Sequence, residues 1–290
     1  MKAIFFSALL LASANVFAQP KLVTQAIVNT TTNVIAPEGE DVQNLQQGGG
    51  GMQMFRNFGD GETKSVTYLK DSMVKTVLKS DLGRSSIIRN NNAKLTTTLL
   101  EIMGNKTGFF ITDDEQAVMK VKMDSMMQAR RNADTTRPKT ATNSTAVPAE
   151  ISYVEGTKKV AGYDCKKALV INTRLLGIKD TVAVWYTPEI KLQSIVSTGG
   201  TSSFGGFGNL GNFTSLNGLD KIDGFVMQYE MNMRRGRRMI VEVTKIDLAK
   251  EVTAKDFEIP KDFEVKPMKE FQSMMQGPGG MQQFMRPGGQ

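Results

Sequence analysis

From Phe225 to Met233 every second residue is large and apolar. Phe225, Met227, Tyr229, Met231 and Met233 fall on one side of an extended chain, and Gln228, Glu230 and Asn232 on the other. Side chains alternate across a strand with a period of two, so this stretch is built to bury one face of a β-sheet and to wet the other. Arg234–Arg238 turns the chain, with Gly236 free to take a positive φ, and Met239–Ile246 returns as the partner strand. A second hairpin pairs Cys165–Thr173 with Thr181–Thr187 around Leu175–Asp180, and Pro188 ends its ladder by removing a donor. Alternation places Cys165, Leu169 and Ile171 on one face of the first strand and Lys166, Ala168, Val170 and Asn172 on the other.

The same pattern runs along most of the chain. Leu22–Ile35 reads as a first strand, bent near Asn29. Ser65–Lys70, Met73–Lys79, Ser85–Asn90, Leu95–Ile102 and Thr107–Thr112 form a meander broken by polar turns. Ala117–Met123 reads as a further strand and Met123–Arg131 as a short helix, although Met119, Met123 and Met126 also fit helical spacing. Ile151–Val154, Lys158–Val160 and Leu192–Ser197 add strands, Thr253–Asp256 a capped single turn, and Phe263–Val265 with Pro267 closes the domain. Three stretches lack periodicity: 41–62 with four consecutive glycines, the Thr/Ala/Asn/Pro-rich 132–149, and 199–218 with Phe204, Phe207 and Phe213 among glycines. The expected fold is mainly β, a single antiparallel domain over 19–267 forming a curved sheet or open half-barrel with minor helix and long Gly-rich loops. A Met/Gly/Gln-rich tail over 268–290 is expected to be disordered beyond a short helix at its start.

Met1–Ala18 has the form of a cleavable signal peptide, with Lys2, an apolar run over Ile4–Ala12, and Val16-Phe17-Ala18 before the cut. The run falls well short of the roughly 20 apolar residues a membrane span needs. No cysteine follows it to carry a lipid, so the expectation is an exported protein, periplasmic or secreted, without a lipid anchor. A net charge of +7 then points to anionic lipid headgroups or cell-wall polymers as an envelope partner, and away from nucleic acid. With one cysteine there is no intramolecular disulfide, and with no histidine there is no Ser-His-Asp or Cys-His catalysis and no ordinary zinc site. Cys165 reads as a small buried hydrophobe. The expectation is a protein that is not an enzyme and has no cofactor.

Three runs in order carry a family resemblance: Gly162-Tyr163-Asp164-Cys165-Lys166-Lys167, then Val184-Trp185-Tyr186-Thr187-Pro188-Glu189-Ile190, then Asp256-Phe257-Glu258-Ile259-Pro260-Lys261. Together they resemble the exported family called domain of unknown function 4412, over roughly Ser65–Pro267. That family is similar in expected fold to the lipoprotein-localisation-factor (LolA/LolB-like) superfamily. The resemblance implies an open antiparallel half-barrel with a concave apolar face able to hold acyl chains. It implies no catalytic residues.

The candidate ligand-binding surface is therefore Phe225, Met227, Tyr229, Met231 and Met233, where methionine and aromatic side chains can adapt to a flexible apolar ligand or a lipidated partner. The same residues would serve equally as ordinary core. Arg234, Arg235, Arg237 and Arg238 form a basic hairpin tip, suited to anionic headgroups or simply to a solvated, charged sheet edge. Met231-x-Met233 and Met52-x-Met54 raise a soft-metal alternative in which thioethers hold Cu(I). A second alternative is an interaction module acting through the Gly/Met/Phe-rich loops. The triplets at Asp71, Asp124, Asp134 and Asp180, each followed by Ser or Thr, resemble O-glycosylation acceptors.

Overall fold

The computed structural model describes residues 20–35, 61–80, 83–102, 104–133, 148–173, 179–192, 218–232 and 236–276. In chain order the strands are β1 (Lys21–Val23), β2 (Gln25–Ile35), β3 (Gly61–Lys70), β4 (Met73–Ser80), β5 (Gly83–Asn90), β6 (Leu95–Ile102) and β7 (Asn105–Thr112). After helix α1 (Asp113–Ala133) come β8 (Glu150–Val160), β9 (Tyr163–Thr173), β10 (Lys179–Thr187), β11 (Ile190–Leu192), β12 (Phe225–Asn232), β13 (Arg238–Asp247) and β14 (Glu264–Pro267), then helix α2 (Met268–Gln276). Short 3-10 turns lie at Leu219–Lys221 and Ala254–Phe257.

Twelve of these strands form one curved, unclosed sheet, in the order β14, β7, β6, β5, β4, β3, β2, β13, β12, β10, β9, β8. Neighbours are antiparallel except β14, which runs parallel to β7. β1 and β11 stand apart as a small parallel pair. The period-two pattern dictates two faces, named here from adjacent residues of β2. Across β2–β6 the Val28 face carries Ala26, Leu69 and Val74, then Thr67 and Thr76, then Thr30, Ser65 and Leu78; the Ile27 face carries Tyr68, Val66, Val77 and Ile88.

Each face is buried against something different. Beneath β9, β10, β12 and β13 the Val28 face packs Val170, Val182, Val184, Tyr229, Met231, Met239 and Val241 against Leu219 and Ile222 of the segment that leads into β12. Gly224 makes that approach close: a Cβ there would press into the Thr187 carbonyl oxygen, and its φ is +152°. On the Ile27 face a strap after β13 lays Val252 and Phe257 over Ile27, Ile88 and Leu99, with Phe263 alongside. Lys70 and Lys75 fasten it by donating to the Val252 and Asp256 carbonyls, each at 2.6 Å. The capped turn expected at Thr253–Asp256 is present, the Asp256 carboxylate accepting from the Thr253 amide at 2.7 Å and from its hydroxyl at 3.0 Å.

Four expectations need correction. Residues 113–133 are one helix, with no strand at Ala117–Met123. Its start is a capping box, in which Glu115 accepts from the Thr112 amide at 2.9 Å and Thr112 Oγ1 accepts from the Glu115 amide at 3.3 Å. Asp113 and Asp114 add charge suited to a helix N-terminus, and the alternation of Ala117, Met119 and Val121 was coincidental. Second, Leu22–Ile35 is two strands that break at Thr24, and the register of β2 with β13 shifts opposite Asn29 and Thr30. Third, Ile151–Val154 and Lys158–Val160 belong to one strand, β8, whose register slips between Val154 and Thr157. Fourth, β3 begins at Gly61, inside the stretch 41–62 expected to be a loop. In β9 the expected alternation is kept: Ala168, Val170 and Asn172 are buried on one side, and Leu169 and Ile171 are half-buried on the other, which Cys165 shares. The slip puts two extra residues, Glu155 and Gly156, into β8 and leaves the alternation along β9 unbroken, so Cys165 and Ala168 are buried in different clusters on opposite sides of the strand. Of the strand expected at Leu192–Ser197 only Leu192, the last residue of β11, is described, and residues 193–197 lie outside the described residues.

Candidate functional site

The surface singled out in the sequence lies at the centre of the Val28 face. Phe225, Met227, Tyr229 and Met231 are 5%, 1%, 5% and 4% exposed. Phe225 and Met227 join Ala26, Val28, Leu69 and Val74 in one cluster, while Tyr229 and Met231 join the cluster under Leu219 and Ile222. Met233 lies outside the described residues. Burial pushes the Tyr229 phenol far above its usual value, so it stays neutral. The face is thus a continuous, uncharged surface of methionine, tyrosine, phenylalanine and branched aliphatic side chains.

Toward β2, β3 and β4 the same face changes chemistry. Thr30, Thr32, Thr63, Ser65, Thr67 and Thr76 are all 5% exposed or less and share its inward side. The hydroxyls of Thr67 and Thr76 pair across the strands at 3.0 Å. Thr30 Oγ1 is buried with no hydrogen-bond partner. The sequence reading passed over this band, because threonine in a strand also satisfies β-propensity. The signal was present in Thr30-x-Thr32 and Thr63-x-Ser65-x-Thr67, whose period of two places every hydroxyl on one face.

At one end of β5 the face carries an ion pair. Arg89, 14% exposed, donates to both carboxylate oxygens of Asp113 at 2.5 and 2.8 Å, to Asn91 Oδ1 at 2.9 Å and to Thr96 Oγ1 at 3.3 Å. These bonds hold the Asp113 carboxyl below its ordinary range and fix the first turn of α1 to the sheet. At the same edge Phe271 of α2 packs on Phe109 of β7, ring centroids 4.8 Å apart, and Gln272 approaches Met119 of α1.

The other sequence candidates are dispersed. Cys165 is 1% exposed, its thiol donates to the Tyr163 carbonyl at 3.5 Å, and burial pushes its pKa up; it is a packed, protonated thiol. Trp185 lies on the Ile27 face, with Lys158 Nζ 4.6 Å and Lys167 Nζ 5.7 Å from its ring centre, where it clamps two lysine stems. Of the basic tip, Arg238 pairs with Glu230 at 3.2 Å and Arg237 is half-buried, while Arg234 and Arg235 lie outside the described residues. Of the soft-metal alternative, Met231 is buried in the core, 4% exposed, and Met52, Met54 and Met233 lie outside the described residues. Among the described residues no three His, Cys, Asp or Glu side chains come together as a metal site. Ser72, Ser125 and Thr181 of the acceptor-like triplets fall on a turn, an exposed helix position and an exposed strand position; the Asp134 triplet lies outside the described residues. No helix among the described residues is long and apolar enough to cross a membrane.

Fold and site together define an open-sheet protein: one unclosed antiparallel β-sheet with an uncharged buried face and two helices at its β7 edge. The chain belongs to the family described as "Domain of unknown function (DUF4412)", whose model matches residues 50–263. No curated protein sequence matches it. Among solved structures it is similar to PNGF-II, at 16% identity and a TM-score of 0.36, covering 87% of this chain and 32% of that one. MucB in complex with MucA(peri) is similar at 7% identity and a TM-score of 0.35, covering 82% and 55%. A LolA superfamily protein from Nitrosomonas europaea is similar at 7% identity and a TM-score of 0.28, covering 84% and 92%. The chain spans about a third of the length of PNGF-II.

Proposed function

We propose that the chain is an exported, non-enzymatic binding protein of the cell envelope that holds an apolar ligand, or the acyl part of a lipidated partner, against its Val28 face. One observation carries this reading: within an unclosed sheet, a single face runs from β12 to β3 in uncharged side chains, with methionines at its centre. Methionine repacks around irregular apolar shapes at low cost, so such a face can exchange its own contacts for those of a flexible chain. Export rests on the leader-like Met1–Ala18.

Native mass spectrometry of the protein purified from its own envelope tests the reading. The expected result is a lipid-sized mass above the polypeptide that dissociates on activation. A co-purifying protein in its place would favour an interaction module acting through 41–62 and 199–218. A bare polypeptide, with nothing extractable into organic solvent, counts against binding of either kind.

The hairpin end between β12 and β13 is, in this proposal, where the protein meets anionic headgroups. Replacing Arg234, Arg235, Arg237 and Arg238 by serine is expected to reduce pelleting with phosphatidylglycerol vesicles at low salt, by about 1 kcal/mol per basic residue near the surface. Equal pelleting of variant and wild type would remove the membrane role and leave the arginines as a charged sheet edge.

A further inference from the structure

The hydroxyl band on β2–β4 has no place in a purely hydrocarbon surface. Across β6, β5, β4, β3 and β2 one row reads Leu100, Ser85, Leu78, Ser65, Thr30, and the next reads Thr98, Ile87, Thr76, Thr67, Val28. Hydroxyls and hydrocarbons are interspersed, and no charged side chain interrupts either row. A hydroxyl buried without a partner forfeits its hydrogen bonds to water, and native proteins seldom leave one so. Thr67 and Thr76 satisfy each other. Thr30 Oγ1 does not: its residue is 2% exposed, it stands between Ser65 and Val243 in the register, and it has no partner.

We infer that Thr30 and its neighbouring hydroxyls form a subsite for the neutral polar part of an acylated glyceride, with the ester and glycerol oxygens over the band and the hydrocarbon over Val28, Leu69 and Met227. The inference rests on the proposed acyl-binding role of the same face and adds the chemistry of the headgroup. Hydroxyls both donate and accept, which suits ester carbonyls and free glycerol hydroxyls. A carboxylate or phosphate would have to be buried beside them without a counter-ion, since among the described residues the one guanidinium on this face, Arg89, is already neutralised by Asp113. The ligand is therefore uncharged. Because Thr30 is 2% exposed, a ligand reaches it only when the side chains above it part, so loading is slow and quickens on warming.

Displacement of a pyrene-labelled alkane by two lipids of equal chain length, 1-monolauroylglycerol and laurate at pH 8, tests the idea. Wild type is expected to release the probe at roughly tenfold lower concentration of the glyceride than of laurate. Thr30→Val, which keeps the shape and removes the hydroxyl, is expected to weaken the glyceride about 2- to 10-fold, the worth of one hydrogen bond. Without ligand the same variant is expected to melt a few degrees higher than wild type, because it loses an unpaired buried oxygen. That rise also shows that its fold is intact. If the probe binds and both lipids displace it equally in both proteins, the acyl-binding reading stands and the subsite is overturned. Should the probe and both lipids fail to bind at all, the binding reading falls and takes the subsite with it.

Discussion

Phe257→Ala is expected to cost about 3–5 kcal/mol, the range for deleting a buried aromatic side chain. At about 2–4 °C per kcal/mol for a domain of this size, the melting temperature should fall by roughly 6–20 °C. The reason is that Phe257, 6% exposed, is the plug of the strap, wedged with Val252 over Ile27, Ile88 and Leu99 on the outer side of β2, β5 and β6. The strap has little else to hold it. Its backbone is fixed by the lysine bonds to the Val252 and Asp256 carbonyls and by its own capping box, all of which depend on the segment staying in place. Without the ring, Ile88 and Leu99 are left facing a cavity or water. Ile259→Ala, two residues on and 43% exposed, should change stability by less than about 0.5 kcal/mol. Thermal melts of the two variants beside wild type decide it. A Phe257→Ala melt within a degree or two of wild type would mean that the strap is not part of the cooperative core.

How well the fold could be read follows from where its information lies. Leu95–Ile102 is recovered to the residue, and the other meander strands to within two except β3, which starts four residues early at Gly61, because Val, Ile and Thr at alternate positions state both strand and face locally. Which strands meet across the sheet is not a local property. Nothing in the periodicity of β13 says that it lies beside β2, or that β14 runs parallel to β7; those pairings are set by the loops and by the burial of both faces at once. The strap was missed as cover for a second face, because Val252, Phe257 and Phe263 are irregularly spaced and only their contacts reveal one surface.

The site was legible in part. Alternation from Phe225 to Met231 did place four large side chains on one buried face, but periodicity cannot separate a core from a groove, since both want the same residues. The misassignment over 117–123 has a similar origin: short apolar alternation is ambiguous, and the deciding residues, Thr112 and Glu115, lie just outside the window. In the sequence β8 reads as two strands, split at its register slip, where Glu155 and Gly156 interrupt strict alternation.

Arg89→Met is expected to free the first turn of α1, at a cost of about 1.5–3 kcal/mol for hydrogen bonds to a charged group. Breaking a fully buried pair costs more, but the Asp113 side chain is 34% exposed and water can take over part of its solvation. The consequence for the helix is larger than for the domain. Val118, Val121 and Met126 are 69%, 70% and 52% exposed, so α1 buries little of its own apolar surface, and helices of this length are marginal in water without packing. Its described anchors include the ion pair at Asp113, the bond from the Asp113 amide to the Lys94 carbonyl at 3.0 Å and the contact of Met119 with Gln272. Limited proteolysis should therefore cut Arg89→Met within 113–133 many times faster than wild type while leaving the sheet intact. Acid should reproduce the effect. The Asp113 carboxyl is depressed in the folded state, so its contribution is complete above the unfolded value of about 3.9 and drains away as pH falls through the lower folded value. Glu115, whose carboxylate is held low by Thr112, weakens the same turn in the same direction. Wild type should thus become cleavable in α1 on acidification below about pH 4, and Arg89→Met, having already lost the larger of the two contacts, should show a smaller acid step. Resistance of Arg89→Met at neutral pH equal to that of wild type would place the hold on α1 somewhere other than this ion pair.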